Sequence, residues 1–485
     1  MPFTFRHVSA AAALLLGLSG TAASFAADSK ADLVNSKIGS EAETYGDMAQ
    51  QIWEWAEVGY QETRSSALLQ QTLKSAGFTV ESNVAGIPTS FVASYGSGKP
   101  VIGILAEFDA LPGVSQQALP ERASVDGGSA GHACGHHLFG VGSVAAAITA
   151  REWLQATGSK GTIRLYGTPA EEGGSGKVYM VRAGLFEDVD TVIHWHAGDK
   201  NSALPGTTLA NRSAKFRFHG KAAHAAAAPE RGRSALDGVE AMNHMVNMLR
   251  EHVPSSSRIH YVITRGGNAP NVVPEFAEVF YYVRAPSPEN LRPIWEWVEN
   301  TARGAALGTD TQVDWEIIHG NYNILPNVTL AQVMQQSLET YGGIEYDRAE
   351  QRFAEKIVKT YNGNPKQKLG SQREIAPWTS EIQRSSGSSD VGDVSWMAPT
   401  VGLNTATWVP GTAAHTWQAV AAGGTSIGTK GMLLAAKAMA LTAITLFEQP
   451  QLVDAAQVEW LEMRGAEFDY QPLIGDRDPP LDYRR

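Results

Sequence analysis

One cysteine in 485 residues leaves this chain no partner for an internal disulfide, so Cys134 is free for metal binding, nucleophilic chemistry or plain burial. Positive charge is also scarce. Lys and Arg number 39 against 50 Asp and Glu, a formal net charge of −11. That balance speaks against nucleic acid or an anionic membrane surface as a partner. Long apolar runs are missing beyond the first twenty or so residues. The stretch 432–446 is interrupted by Lys437 and reads as a buried helix rather than a membrane span. The hydrophobic fraction of 43% and charged fraction of 18% are those of an ordinary globular protein. The length allows two large domains or about three smaller ones.

The N-terminus reads as a secretory signal. Arg6 and His7 precede an apolar core over 10–18, too short to span a bilayer, and Ser24-Phe25-Ala26 offers small residues around a cleavage site after Ala26. The expectation is a signal peptide over 1–26 and an exported, periplasmic protein with no membrane attachment after cleavage. With a single cysteine, it does not lean on disulfides.

Residues 29–76 carry helical periodicity. Residues 91–95, 101–105, 162–167 and 191–196 are short β-branched or apolar runs, and a helix fills 141–154. Strands alternating with helices indicate an α/β sheet. The pattern changes near Arg212. Strand 215–219, helix 234–249, strands 259–264 and 277–284, helix 291–307 and strand 311–318 give β-α-β-β-α-β, the order of a ferredoxin-like unit. The expected organisation is a catalytic α/β domain over 27–211 and 322–449, an inserted module over 212–321, and a tail over 450–485 lying on the surface.

The chemistry concentrates in Gly131-His132-Ala133-Cys134-Gly135-His136-His137. Imidazole and thiolate are strong ligands for borderline-soft divalent metals, and Cys134 and His136, two apart in a turn, can converge on one or two ions. Glu171 and Glu172 follow the 162–167 strand, and strand ends are where open α/β sheets build sites. Adjacent carboxylates there can divide metal binding from proton transfer. His194 and His196 share one strand face, and His196 is favoured because it lies nearer the strand end. His415 sits in a loop before a helix. Asp109 follows a strand and can orient a ligand imidazole. His224 means little by itself.

In order, the segments AEFDALPG (106–113), GHACGHHLFG (131–140), GTPAEEGGSGK (167–177), GKAAHAAAAPERGRSALDGVEAMN (220–243), GGNAPNVVPE (266–275), SSDVGDVSW (388–396) and GTAAHTWQ (411–418) resemble the M20-type metallo-amidohydrolases of the two-metal class. Within them the chain is most similar to the branch of p-aminobenzoyl-glutamate hydrolase B-type subunits and auxin-amino-acid conjugate hydrolases. The resemblance covers about 45–449. It implies an M20-type two-domain α/β fold whose ferredoxin-like insert is a dimerisation lid. It implies two divalent ions, Mn²⁺ or Zn²⁺, held by Cys134 as a bridge with His136, Glu172, His196 and His415. Glu171 would be the general base on a shared water, and His224 would reach a neighbouring subunit's site to polarise the scissile carbonyl. Asn271 and Arg284 would hold substrate. The implied reaction is hydrolysis of an N-acyl amino acid, chiefly an aroyl- or indole-acetyl-glutamate or -aspartate, by a homodimer or by a heteromer with a homologous subunit.

Two positions depart from the family pattern. His137 stands where many relatives have Asp or Asn, and Glu107 stands where other branches place a metal-binding His. Glu107 is therefore left out of the ligand set. Rival readings are a dipeptidase or N-acetyl-amino-acid deacylase, a partner subunit with little activity alone, and a cysteine-nucleophile hydrolase.

Overall fold

The computed structural model describes residues 30–484. The expected signal peptide therefore lies outside the described residues. Ten strands of four or more residues form two sheets: β1 (Thr79–Ser82), β2 (Phe91–Ser97), β3 (Val101–Ala106), β4 (Gly161–Gly167), β5 (Thr191–Gly198), β6 (Ala210–His219), β7 (Arg258–Arg265), β8 (Phe276–Ala285), β9 (Gln312–Asn321) and β10 (Thr400–Ala406). The larger sheet runs β1-β2-β4-β3-β5-β10. Strands β4, β3, β5 and β10 are mutually parallel, while β2 runs antiparallel to β4 and β1 to β2. All six residues of β3, VIGILA, are buried, as expected of a central parallel strand covered by helices on both faces. The four parallel strands point their C-terminal ends to one edge.

Helices His136–Thr157 and Ser426–Glu448 pack against each other and against this sheet. Ser426–Glu448 is long and apolar enough to cross a membrane by length and composition alone, yet most of it is buried inside the protein. Two-sided burial explains why its apolar pattern lacks a clear polar face. The helical region 29–76 resolves into helices over 30–40, Ala42–Trp55 and Thr63–Ser75.

The second sheet runs β7-β8-β6-β9, antiparallel throughout. Helices Ala235–Leu249 and Pro288–Thr309 cover it, capped by the hydroxyls of Ser234 and Ser287. Its core joins Phe216, Phe218, Met242, Leu291 and Trp295. At its edge, β7 leaves Tyr261, Val262 and Ile263 exposed.

The surface tail expected over 450–485 requires correction. Pro450–Arg464 is a helix that buries Val453, Ala456 and Trp460. Proline suits its first turn because that N–H needs no partner. Beyond it, Leu473 and Ile474 are again buried. The segment lacks apolar periodicity because it is held by scattered side-chain contacts, which leave no repeating signal.

Candidate metal centre and its surroundings

The parallel strand ends gather the chemistry. β3 delivers Glu107 and Asp109, β4 delivers Glu171 and Glu172, and β5 carries His196. The turn before helix His136–Thr157 adds Cys134 and His136. Gly135, at φ 78°, lets this turn approach β5, since a Cβ there would meet the Ala197 Cβ at 2.4 Å. His415, itself in the left-handed region at φ 62°, is held by its N–H donating to the Ala133 carbonyl at 3.0 Å. Such strain in a non-glycine residue persists only where surrounding contacts enforce it.

Two donor groups share Cys134: Cys134–His136–His196 and Cys134–Glu172–His415, with ligand atoms within 4.8 Å of one another in each. Cys134 Sγ lies 3.4 Å from His196 Nε2. His196 Nδ1 donates to the Ala197 carbonyl at 2.8 Å, which leaves the Nε2 lone pair facing the thiol. His136 is oriented in the same way, with Nδ1 2.9 Å from Asp109 Oδ1. Asp109 Oδ2 accepts from the Glu172 N–H at 3.0 Å. One carboxylate thus fixes two ligand-bearing segments.

A third group, Glu107–His136–Glu171, lies beside the first two. Glu107 Oε2 is 3.1 Å from His136 Nε2, and its Oε1 accepts from Lys177 at 2.7 Å. Lys177 also meets Asp390 at 2.7 Å, and all three side chains are almost wholly inaccessible. Burial pulls the Lys177 pKa down, but Asp390 and Glu107 outweigh it and hold the ammonium charged. Sequence reasoning missed Lys177 and Asp390. They sit within two quoted motifs, but only the fold brings these positions, 213 residues apart, into contact. Glu107, set aside from the ligand set, is aimed at the same imidazole as the metal donors.

Electrostatics separate the paired glutamates. Burial, then Glu107, Glu172 and Asp390, push Glu171 well above the usual carboxylate range. Burial also pushes on Glu172, but the hydrogen bond from His415 and the charge on His136 bring it below its ordinary value. His415 Nε2 lies 3.2 Å from Glu172 Oε1. Burial and like charge thus make Glu171 the more basic of the two carboxylates and leave Glu172 the more acidic.

The remaining candidates fall elsewhere. His132 bonds the Ile52 carbonyl and His137 the Gly423 carbonyl. Both are buried and belong to none of the three donor groups, and burial lowers both pKa values. His137 therefore packs against the end of helix Trp417–Gly423. His194 lies against Gly402, where a Cβ would meet its Nε2 at 2.3 Å, and belongs to none of the three donor groups. His224 and Asn271 are neighbours: the Ala225 N–H donates to the Asn271 carbonyl at 3.0 Å, and His224 pairs with Val272 in an isolated bridge. Both are exposed. Within the described residues of a single chain, neither bonds to the Cys134 cluster. Arg284, on β8, reaches the Ser388 hydroxyl at 3.3 Å.

Two cavities adjoin the donors. One, of about 550 Å³, is lined by His194, His196, Lys200, Lys366 and Arg384 among others. The other, of about 740 Å³, includes His415, Arg122 and Trp417. Among the described residues, no Asp or Glu lines either.

The donor set fits divalent cations. Thiol, imidazole and carboxylate converge, and Glu107 Oε2 and His136 Nε2 are buried 3.1 Å apart without a well-formed hydrogen bond, a costly arrangement unless something else satisfies them. Residues 103–362 match the model of peptidase family M20/M25/M40. The chain is 43% identical over 464 residues to the B-type subunit of p-aminobenzoyl-glutamate hydrolase from Escherichia coli (strain K12), covering 91% of this chain and 96% of that one. It is 32% identical over 441 residues to Xaa-Arg dipeptidase of Mus musculus, covering 87% and 90%. A crystal structure of a dinuclear metal-binding M20-family peptidase from Bacillus subtilis superposes with a TM-score of 0.57 at 18% identity, over 84% of this chain and 99% of that one. The last likeness bears on the fold.

Proposed function

The chain belongs to peptidase family M20/M25/M40 and is an amide hydrolase, and on that premise we propose that it uses two divalent cations, Mn²⁺ or Zn²⁺, to cleave N-acyl amino acids whose amino acid is acidic. Aroyl- or indole-acetyl-glutamate and -aspartate, such as p-aminobenzoyl-glutamate, are the substrate class. The carrying observation is the pair of donor groups sharing Cys134 with Glu171 beside them. Cys134, His136, Glu172, His196 and His415 would hold the ions. When bound, two such cations lower the pKa of a shared water and polarise a carbonyl.

The residues of the chain supply the rest. Glu171, its pKa raised by burial and neighbouring carboxylates, takes the proton of the attacking water and returns it to the leaving amine. Asp109 keeps the His136 and Glu172 segments in register. His224, from a second copy of the chain, would donate to the developing oxyanion, with Asn271 beside it. Arg284 would bind a substrate carboxylate. Lys200, Lys366, Arg384 and Arg122, in cavities without an acidic lining, favour a dianionic acyl-glutamate. A substrate ending in arginine would meet like charge there.

We place the protein in the periplasm on the strength of residues 6–26, and assign it a homodimer through the lid. The exposed apolar edge strand β7 supports pairing with a second copy. The E. coli relative is by name one subunit of its hydrolase, which makes a homologous partner chain the other assembly to test. The deciding assay is release of glutamate from p-aminobenzoyl-glutamate by the purified single chain, with chelator and with added Mn²⁺ or Zn²⁺, beside an Xaa-Arg dipeptide. Metal-dependent release from the first substrate alone is expected. Faster cleavage of the dipeptide would overturn the acidic-substrate reading, and turnover appearing only with a homologous partner chain would overturn the homodimer.

A further inference from the structure

The segment after helix Pro450–Arg464 lacks regular structure, yet it is pinned every few residues. The Tyr470 hydroxyl donates to Asp393 at 2.6 Å. Arg182 donates to the carbonyls of Gly475 and Arg477 at 3.0 and 2.8 Å. Arg477 crosses to the lid and meets Glu316 on β9 at 3.1 Å. Pro479 and Pro480 then stiffen the approach. Tyr483 packs edge-on against Tyr60, ring centroids 5.6 Å apart, in a seat that Gly59 leaves open: a Cβ there would meet the Tyr483 hydroxyl at 2.2 Å. The Tyr483 hydroxyl and Arg484 Nη2 both donate to the Glu172 carbonyl, at 3.0 and 2.7 Å.

That carbonyl belongs to a strained loop. Ala170, Gly173 and Ser175 all have positive φ, at 56°, 85° and 60°, and two of the three are not glycine. Such a backbone survives only if its surroundings over-determine it. The loop is clamped by Glu62 on the Ala170 N–H at 2.8 Å, by Asp109 on the Glu172 N–H at 3.0 Å and by Tyr60 on the Gly174 carbonyl at 2.6 Å. The geometry points to Tyr483 and Arg484 as the remaining clamp: they are positioning residues that hold the Glu172 peptide from behind and so aim its carboxylate at Cys134 and His415. Without them the Glu172 carbonyl loses both of these donors, the 172–173 peptide gains rotational freedom between its two remaining anchors, and the Glu172 carboxylate shifts with it. The clamp comes from a segment that also grips the lid, so the ligand loop and the lid share one support. This inference rests on the metal-site reading above.

Co²⁺ titration tests it, because a cysteine thiolate on Co²⁺ gives a charge-transfer absorption that reports the ligand geometry independently of turnover. The variants are Tyr483→Phe, Arg484→Gln, Arg484→Lys and a chain ending at Asp482, each melted in chelator to confirm the fold. The chain ending at Asp482 and Arg484→Gln should bind Co²⁺ about 10- to 100-fold more weakly, with an altered charge-transfer band and kcat reduced more than KM is raised. Arg484→Lys should recover part of the affinity. Should the truncated chain fold poorly, Tyr483→Phe and Arg484→Gln decide the matter. Affinities and spectra within twofold of wild type in these variants would overturn the clamp while leaving the metal site standing. A wild-type chain that binds no Co²⁺ would overturn the metal site and the clamp together.

Discussion

Replacing Lys177 by methionine should be among the most damaging single changes in this protein, although the residue touches no substrate. Lys177 Nζ sits 2.7 Å from both Glu107 and Asp390, with all three side chains inaccessible. Methionine keeps most of the volume and flexibility, so the loss is electrostatic rather than steric. Removing one partner of a buried ionic group costs about 3–5 kcal/mol, because the remaining charges are left unpaired. For a cooperative unit of roughly 300 residues the unfolding entropy near 60 °C is about 0.6 kcal/mol per kelvin, so the melting temperature should fall by about 5–8 °C. Calorimetry in chelator isolates this effect from metal binding. The triple variant Lys177→Met/Glu107→Gln/Asp390→Asn should regain most of the loss, since neutral groups need no counter-charge. A single variant melting within about 1 °C of wild type, or a triple variant no better than the single, would refute the reasoning.

Glu171→Gln should retain its metal by elemental analysis but lose about 10²- to 10⁴-fold in kcat; near-normal turnover would remove Glu171 from the base role. Cys134→Ser should fall well short of two ions per chain after loading and dialysis, because Cys134 is common to both donor groups; full occupancy would count against the thiolate. Burial pushes Asp393 up to about 7 despite hydrogen bonds from Tyr470 and the Tyr322 N–H. Below about pH 4 both folded and unfolded chains hold this proton. As the pH rises towards 7 only the unfolded chain releases it freely, so the group costs up to about 4 kcal/mol of stability across that window and no more above it. Asp393→Asn should therefore lose less stability than wild type between pH 5 and pH 8 in denaturant titrations; parallel curves would disprove the shift.

The candidate donor cluster was legible because coordination chemistry needs particular side chains in short, glycine-flanked runs, as at Cys134–His136 and around Glu172. The inserted module was legible because β6 to β9 and their two helices have one buried face each, which imposes periods of 2 and 3.6. Glu107 was left out of the candidate ligands, and its acidity alone does not reveal that a carboxylate oxygen faces His136. Lys177 reads as a surface lysine until Asp390 is folded against it. Residues 465–484 were read as surface because pinning by backbone carbonyls and isolated aromatics such as Tyr470 and Tyr483 has no repeat to detect.

The pairing of β5 with β10 joins residues some two hundred positions apart, Thr400 opposite Val192, with the whole inserted module between them. The inserted module's own strands and helices are contiguous in the chain, so it can fold on local contacts while the larger sheet still lacks its last strand. Closing so long a loop is slow, and during synthesis β10 and the loop bearing His415 emerge last of the ligand segments. A growing chain thus carries Cys134, His136, Glu172 and His196 before His415 exists, exposing an incomplete set of donors and the unpaired edge of β5 for the time needed to make another two hundred residues. Until that last strand arrives, the open edge of β5 is the kind of surface that invites mispairing and chaperone binding.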